Sequence, residues 1–163
     1  MVLREPVRFI ADCNVGRLAR WLRLLGYDTL FANGVDDDGI LRIALKEDRV
    51  VLTRDTHFLR RHVTRSGRVK MVFLQTEDVK SQVSQVVREL GLDWRGARFS
   101  RCIECNSPLE ARDREAVRPL IPPYVYRTQR EFAQCPGCGR IYWQGTHWQR
   151  MRGELEALAV EKA

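Results

Sequence analysis

In the first ninety residues, short apolar runs alternate with stretches in which apolar residues recur at helical spacing. Four apolar runs predict strands, at residues 7–10, 29–32, 50–53 and 69–74. The run at 50–53 is continuous and largely β-branched, which is typical of a strand buried on both faces of a parallel sheet. Between the runs, apolar residues recur three and four positions apart, as on one face of a helix. This alternation predicts an α/β domain with a mainly parallel sheet.

The first predicted strand and helix meet at Asp12. We expect Asn14 to cap the helix at its N-terminus and Gly26 to end it, because these residue types favour those positions. The third predicted strand also runs directly into an aspartate, Asp55. Parallel strands present their carboxyl ends at one edge of a sheet, so Asp12 and Asp55 are expected at the same edge, where ligands bind in open α/β folds.

A third acidic stretch stands at the start of the second predicted helix, where Asp36, Asp37 and Asp38 are consecutive. An N-terminal cap accounts for one of them and leaves a surplus. Several carboxylates at one edge raise one another's pKa unless a cation lies among them. Mg²⁺ and Mn²⁺ prefer such oxygen ligands. Metal sites of this kind hydrolyse phosphodiesters, so the sequence predicts a catalytic site for Mg²⁺ or Mn²⁺.

The sequence lacks the motifs of several other kinds of active and binding site. The sequence has no glycine-rich dinucleotide fingerprint, no phosphate-binding P-loop and no GxSxG serine motif. A dehalogenase-type phosphatase is disfavoured because Asn14, and not a second aspartate, stands two residues after Asp12. We expect Cys13 to be a small buried residue beside the strand end. The three histidines are expected at the surface without a catalytic role: His57, His62 and His147.

The last sixty-five residues differ in composition and carry two CxxC pairs. The pairs are Cys102 with Cys105 and Cys135 with Cys138. This spacing predicts a zinc ribbon, with an iron–sulfur or redox site as the alternative. We expect residues 124–134 to form a strand that pairs with residues 140–144, and a helix to begin at residue 146. The aromatic and arginine residues of this region either stack on single-stranded nucleic acid or pack the ribbon.

The net charge of +7 and pI near 9.5 are compatible with a polyanionic partner. Arg17, Arg20 and Arg23 are expected to form a ridge on the first helix, and Arg54 lies beside Asp55. These arginines contact RNA phosphates or simply form a solvated face. No apolar stretch reaches membrane-spanning length and the first residues lack a signal-peptide core, so we expect a cytoplasmic protein with no membrane partner.

Three of these motifs together resemble the Mut-seven C-terminal family of PIN-like ribonuclease domains: FIADCNVGRLARWLRLLGYDT, DDDGILRIA and VVLTRDTHFLRR. The resemblance covers about residues 7–90 and implies a three-layer α/β/α domain that hydrolyses RNA with Mg²⁺ or Mn²⁺. By the resemblance, the catalytic and metal-binding residues are Asp12, Asp37, Asp38 and Asp55. Asp36 is then a cap, and Asp78 is a candidate for a further acidic ligand. Gly39 departs from the family pattern, in which an acidic residue is common at this position.

We therefore predict a nuclease domain at residues 1–98 and a zinc ribbon with a C-terminal helix at 99–163. The predicted function is metal-dependent endoribonuclease, with RNA-binding by Arg17, Arg20 and Arg54. Two alternatives stay open. One is a non-catalytic RNA-binding ribbon protein with an inactive PIN-like domain. The other is a phosphotransfer receiver, which is disfavoured because no lysine ends the fourth strand. PIN-like domains often associate, so the resemblance also allows a homo-oligomer.

Overall fold

The computed structural model describes residues 5–93, 95 and 100–160 of the chain. The chain divides into two compact units, Met1–Arg98 and Phe99–Ala163. Within the described ranges, no helix combines the length and apolar character needed to cross a membrane.

The first unit is built on a four-stranded parallel sheet with strand order β2-β1-β3-β4. The strands are β1 (Arg8–Ala11), β2 (Thr29–Phe31), β3 (Arg49–Thr53) and β4 (Met71–Phe73). The helices are α1 (Gly16–Leu24), α2 (Asp37–Glu47), α3 (His62–Arg65) and α4 (Val79–Leu90), with 3₁₀ turns at Cys13–Val15 and Thr56–Arg60. The order reverses between β1 and β3, so the loops after these strands flank the switch point where ligands bind in such sheets.

Helices cover both faces of this sheet. Helices α1 and α4 pack together, and α1 also contacts β1 and β2, whereas α2 packs on β1 and β3. Beneath α2 lies a cluster of buried side chains that includes Ile10, Ile40, Val51 and Phe58. Every residue of β3 is buried, as its unbroken apolar pattern predicts. The predicted α/β class and the parallel sheet with layers of helices are confirmed.

The start of α1 differs from the prediction. Asn14 is exposed and does not cap the helix. Asp12 instead caps a 3₁₀ turn by accepting a hydrogen bond from the Cys13 N–H, and α1 begins only at Gly16. A β-carbon at Gly16 would lie 2.9 Å from Cζ of Phe31, so glycine allows the turn to pass close to β2. The aspartate takes the capping role because it stands immediately before the first free N–H groups.

The second unit contains a three-stranded antiparallel sheet with strand order β5-β6-β7. Its elements are β5 (Glu110–Arg112), α5 (Arg114–Val117), a 3₁₀ turn (Arg118–Leu120), α6 (Pro123–Thr128), β6 (Phe132–Gln134), β7 (Ile141–Tyr142) and α7 (Thr146–Val160). The pairing of β6 with β7 and the C-terminal helix were both predicted from the sequence and are confirmed.

The strand predicted across residues 124–134 is wrong in its first half, which forms α6. Pro122 is the N-cap and Pro123 the first helical residue, a position where the fixed φ of proline favours a helix. The helix also places Val125 in a buried cluster with Val117 and Phe132. Local proline chemistry and core packing together decide against the strand.

Candidate active site and metal centre

Asp12 is held at the carboxyl edge of the sheet by three hydrogen bonds. Its N–H donates to the Leu52 carbonyl at 2.9 Å, which continues the pairing of β1 with β3. One carboxylate oxygen accepts from the Cys13 N–H at 2.7 Å and the other from the Thr53 hydroxyl at 2.9 Å. The residue is only 6% exposed. Asp12 is therefore a nearly buried carboxylate in a fixed orientation.

Thr53 connects Asp12 to Asp55. The Thr53 hydroxyl donates to Asp12 and accepts from the Asp55 N–H at 2.9 Å, and its side chain is fully buried. Sequence analysis did not single out this threonine. The sequence feature that could have identified Thr53 is its hydroxyl in the last position of an otherwise apolar predicted strand, close to the candidate carboxylate of Asp55. A buried hydroxyl in such a place has to find polar partners.

Asp55 begins the turn after β3 and is tied to His57. Its carboxylate accepts hydrogen bonds from the His57 N–H at 2.9 Å and contacts the His57 Nδ1 at 2.7 Å. These bonds hold the pKa of Asp55 below its usual range. The His57 side chain is 75% exposed, as expected for a surface residue, yet it touches a candidate catalytic carboxylate.

The negative charges of both strand-end aspartates act on the carboxylate of Asp37. Partial burial raises the pKa of Asp37, and the negative charges of Asp55 and Asp12 raise it further. The positive charges of Arg61 and His57 act in the opposite direction. Three carboxylates from three separate segments of the chain are thus brought into electrostatic contact at one edge of the sheet.

The other two aspartates of the acidic stretch have different partners. Asp36 caps α2 by accepting from the Gly39 N–H at 2.8 Å, which confirms the capping role expected for it. Asp38 is exposed and forms an ion pair with Arg61. A β-carbon at Gly39 would lie 2.6 Å from Cγ1 of Val35, so a side chain at this position requires Val35 to move. Asp36 and Asp38 thus have partners of their own, whereas the charges of Asp12 and Asp55 act on Asp37.

Asp78, the candidate for a further acidic ligand, is the N-cap of α4. Its carboxylate accepts from the N–H and the hydroxyl of Ser81, at 2.9 and 2.8 Å, and these bonds lower its pKa. The charge of Arg17 acts on it in the same direction. Helix capping accounts for this carboxylate without a metal.

The predicted RNA-binding arginines lie in different environments. Arg17 and Arg20 are exposed on α1. Arg54 pairs with Glu77 at 3.2 Å, and its buried Nε has no hydrogen-bond partner among the described residues. The predicted ridge is wrong at Arg23, which is buried and donates from Nε to the Thr29 carbonyl at 2.9 Å. A helix rotates about 100° per residue, so a third arginine in this series turns towards the sheet.

Cys13 is exposed, contrary to the expectation that it would be buried. The 3₁₀ turn after β1 points its side chain outward while Val15 turns inward. The negative charge of Asp12 raises the pKa of the Cys13 thiol. Because the thiolate is the reactive form, this environment disfavours Cys13 as a nucleophile.

The donor set fits a hard divalent cation at Asp12, Asp37 and Asp55. All three supply carboxylate oxygens, and the pKa of Asp37, which burial raises, is raised further by the negative charges of Asp55 and Asp12. The three are not drawn tightly together. Among the residues that the structure describes, only the four cysteines form a group of potential ligands whose atoms all lie within 4.8 Å of one another.

Those cysteines are Cys102, Cys105, Cys135 and Cys138, and two matching turns present them. In each turn the residue after the second cysteine has positive φ, 69° for Asn106 and 77° for Gly139. The N–H groups of Asn106 and Gly139 donate to the carbonyls of Cys102 and Cys135, at 3.0 and 2.9 Å. The N–H groups of Cys102 and Cys135 in turn donate to carbonyls five residues further on, both at 2.9 Å.

The sulfur positions are compatible with a zinc site. Cys102 and Cys138 are 3.6 Å apart at Sγ, and Cys105 and Cys135 are 3.2 Å apart. Zn–S bonds of about 2.3 Å in a tetrahedron place sulfurs roughly 3.8 Å apart. The Ser107 hydroxyl contacts Cys105 Sγ and, with the Ser107 N–H, lowers the pKa of that thiol to about 6. The Tyr142 hydroxyl lies 2.9 Å from Cys102 Sγ. Such hydrogen bonds orient and stabilise thiolate ligands.

Comparison with known proteins assigns the chain to a family. The family model described as Mut7-C RNAse domain matches residues 7–155. The chain belongs to the Mut7-C RNAse domain family. The resemblance to Mut-seven C-terminal domains is thereby confirmed, and the match extends over both units. No curated protein and no solved structure gives a significant match to this sequence. Membership of the Mut7-C RNAse domain family indicates ribonuclease-type function with RNA as substrate.

Proposed function

We propose that this Mut7-C protein is an endoribonuclease that depends on Mg²⁺ or Mn²⁺. One observation carries the proposal: Asp12 and Asp55, at the carboxyl ends of neighbouring parallel strands, are joined through the Thr53 hydroxyl, and the negative charges of both raise the pKa of Asp37. Asp12, Asp37 and Asp55 would hold the ion. We keep Asp38 as a fourth proposed ligand, which has to leave Arg61 in order to bind. Four sulfurs in the second unit would hold a structural Zn²⁺.

The protein's own groups prepare this site in two ways. Thr53 and the Cys13 N–H fix the Asp12 carboxylate, so it does not have to reorganise during the reaction. The hydrogen bonds from His57 keep Asp55 ionised. A divalent cation held by these carboxylates would neutralise charge on the scissile phosphodiester and activate water for its hydrolysis.

Arginines around the same edge would hold the RNA backbone. Arg17 and Arg20 are exposed on the helix that follows Asp12. Arg54 precedes Asp55, and its buried Nε lacks a partner among the described residues. Its side chain is 31% exposed, so the outer part of its guanidinium group can reach a phosphate on leaving Glu77. These contacts set the position of the strand and do not read its sequence.

Residues 1–98 form the nuclease domain in this proposal, and residues 99–163 the zinc ribbon with its C-terminal helix. All five cysteines are free, which fits a reducing compartment such as the cytoplasm. Homo-oligomerisation stays a prediction.

One alternative function has an observation in its favour. Asp38 is paired with Arg61 and Asp78 caps α4, which leaves three of the candidate carboxylates for a metal. These three do not all lie within 4.8 Å of one another. If they stay this far apart they would bind a cation weakly, and the protein would be an RNA-binding module without catalysis. This alternative predicts that RNA binding does not respond to divalent cations.

The test is cleavage of a mixed pool of single-stranded and structured RNA with Mn²⁺ or Mg²⁺. The wild type is compared with Asp12→Asn and with a matched control, Asp48→Asn. Asp48 is exposed at the C-terminal end of α2 and has φ of 51°, a conformation that asparagine also accepts. It precedes β3 and so lies at the opposite edge of the sheet.

We expect metal-dependent cleavage that Asp12→Asn loses and Asp48→Asn retains, with RNA binding intact in both variants. Equal cleavage by all three proteins would indicate a contaminating nuclease and would remove support for this site. Binding without cleavage by the wild type would favour the non-catalytic alternative.

A further inference from the structure

The second unit exposes two large apolar side chains on one short segment. Leu120 is 61% exposed and Tyr124 is 62% exposed, the highest values among the large hydrophobic residues described. Arg127 lies three positions after Tyr124 on α6, so the two side chains are neighbours on the helix surface. Tyr124 and Arg127 are called the Tyr124 face below.

The backbone under the Tyr124 face is rigid. Pro119, Pro122 and Pro123 restrict the segment, and Ile121 and Val125 anchor it in a buried cluster. The Thr128 hydroxyl donates to the Tyr124 carbonyl at 2.7 Å, which closes the short helix. An exposed aromatic ring on so fixed a support loses little conformational entropy when it binds a ligand.

The other aromatic residue of α6, Tyr126, makes its contacts within the protein. Its ring packs between the guanidinium groups of Arg114 and Arg118, whose carbons lie 3.8 and 4.7 Å from the ring centroid. Its hydroxyl donates to the Glu115 carboxylate. Tyr124 differs from Tyr126 in that most of its surface is exposed to solvent.

The charge around the Tyr124 face is positive. Residues 116–131 contain three arginines, Arg118, Arg127 and Arg130, and one acidic residue, Glu131, at the end of the stretch. The nearest preceding acid, Glu115, is engaged by Tyr126 and lies 3.8 Å from Arg118. Two copies of such a face would repel each other, so the charge favours an anionic partner over a second copy of this chain.

We propose that the Tyr124 face binds single-stranded RNA, with one unpaired base stacked on the Tyr124 ring and an adjacent phosphate on Arg127. The choice of RNA as the anionic partner rests on the proposed function. Aromatic stacking beside a basic side chain is a common way to hold a single strand, and it tolerates any sequence because every base has a flat face. The zinc ribbon unit would then contribute a second contact to a strand that the first unit cuts.

The test measures binding in the full chain and does not depend on cleavage. Fluorescein-labelled single-stranded RNA is titrated with Asp12→Asn protein in buffer without added Mg²⁺ or Mn²⁺. The same titration is made with two double variants, which carry Tyr124→Ala or Tyr124→Phe in addition to Asp12→Asn. Leu45→Ala is the matched control, since Leu45 is an apolar residue of α2 that is 40% exposed. The ring of Tyr124 is on the surface, so these variants are expected to fold, and their zinc content checks that the ribbon is intact.

We expect Tyr124→Ala to raise the Kd about 5- to 150-fold, the usual effect of losing one stacked base. Tyr124→Phe keeps the ring and is expected to bind like the parent. Arg127→Ala is expected to reduce the slope of log Kd against log salt by about 0.7, the value for one phosphate contact to a single strand. Photocrosslinking with 4-thiouridine RNA is expected to label the peptide that contains Tyr124.

The proposal is overturned if Tyr124→Ala binds no more weakly than Leu45→Ala, or if the protein does not bind RNA at all. It is also overturned if the wild type is a dimer that Tyr124→Ala dissociates without loss of RNA affinity, because the face is then an interface between copies. RNA binding through Tyr124, together with no cleavage by the wild type in Mg²⁺ or Mn²⁺, would refute the nuclease proposal and support this one. Cleavage by the wild type, with RNA affinity unchanged by Tyr124→Ala, would support the nuclease proposal and refute this one.

Discussion

Replacing Thr53 by valine tests whether one buried hydroxyl organises the candidate site. Valine has nearly the same shape, so the substitution leaves no cavity and adds no bulk. It removes the donor to Asp12 and the acceptor of the Asp55 N–H, both at 2.9 Å in the structure. Thr53 is fully buried and Asp12 is 6% exposed, so water cannot readily replace the bond between their side chains. The Asp55 N–H is only part-buried, so its lost bond is replaced by water more easily.

The cost of Thr53→Val follows from these two losses. A hydrogen bond to a charged group contributes about 1.5–3 kcal/mol, and an N–H left without a partner costs about 1–3 kcal/mol when it is buried. Because the Asp55 N–H is only part-buried, we take the lower ends of these ranges and expect a loss of about 3 kcal/mol in the free energy of unfolding, or roughly 10 °C in Tm. Thr53→Ser keeps the hydroxyl and loses one buried methyl group, which costs about 1 kcal/mol.

The assay combines urea unfolding with hydrogen exchange of the amides in β1 and β3, which reports the stability of this part of the sheet. The expected order of stability is wild type, then Thr53→Ser, then Thr53→Val. Two results would refute the reasoning. Thr53→Val could lie within about 0.5 kcal/mol of the wild type, or Thr53→Ser could be no more stable than Thr53→Val.

Three further predictions follow from the carboxylates and the cysteines. Asp37→Asn removes a charge whose pKa is raised by its neighbours, so without divalent cations it is expected to raise Tm by about 2 °C and to abolish stabilisation by Mn²⁺ in thermal melts; a lower Tm would contradict this. The depressed pKa of Asp55 stabilises the fold at pH values above the ordinary aspartate pKa of about 3.9, and this contribution is lost as pH falls through the lower folded value. Asp55→Asn is therefore expected to destabilise the protein at pH 6–7 (about 1 kcal/mol) and progressively less below about pH 4, as measured by urea unfolding; a constant difference would count against it. Cys135→Ser is expected to abolish zinc binding and unfold the second unit, as measured by metal analysis and exchange of β6 amides, and retained protection would show that the ribbon folds without metal.

The sequence predicted the elements whose signal is local. The unbroken apolar pattern of β3 requires burial on both faces, and β3 is buried throughout. Strand-end aspartates in a parallel sheet have to share one edge, which holds for Asp12 and Asp55 in the structure. The spacing within each CxxC pair predicted a compact turn, and both turns form with the same hydrogen bonds. Each of these properties depends on a few neighbouring residues.

Other expectations failed where distant residues decide the outcome. Arg23 has the spacing of a surface ridge, but the Thr29 carbonyl offers it an acceptor inside the fold. Residues 124–128 have the composition of a strand, yet two prolines and the buried cluster around Val125 make them a helix. In the first case a tertiary contact outweighs the local spacing. In the second, local proline chemistry and core packing together outweigh a strand preference of less than about 1 kcal/mol per residue.

The amino-acid sequence by itself therefore determined the class of fold, the edge that carries the acidic residues and the pairs of metal-ligand cysteines. These features follow from hydrophobic period and short spacing, which need no knowledge of distant contacts. Only the tertiary structure decided which acidic side chains lie near one another. The register of β1 against β3 brings Thr53 between Asp12 and Asp55, and the charges of both act on Asp37 of α2, while Asp38 pairs with Arg61. Such choices depend on three-dimensional distances between charges, and no spacing along the chain contains them.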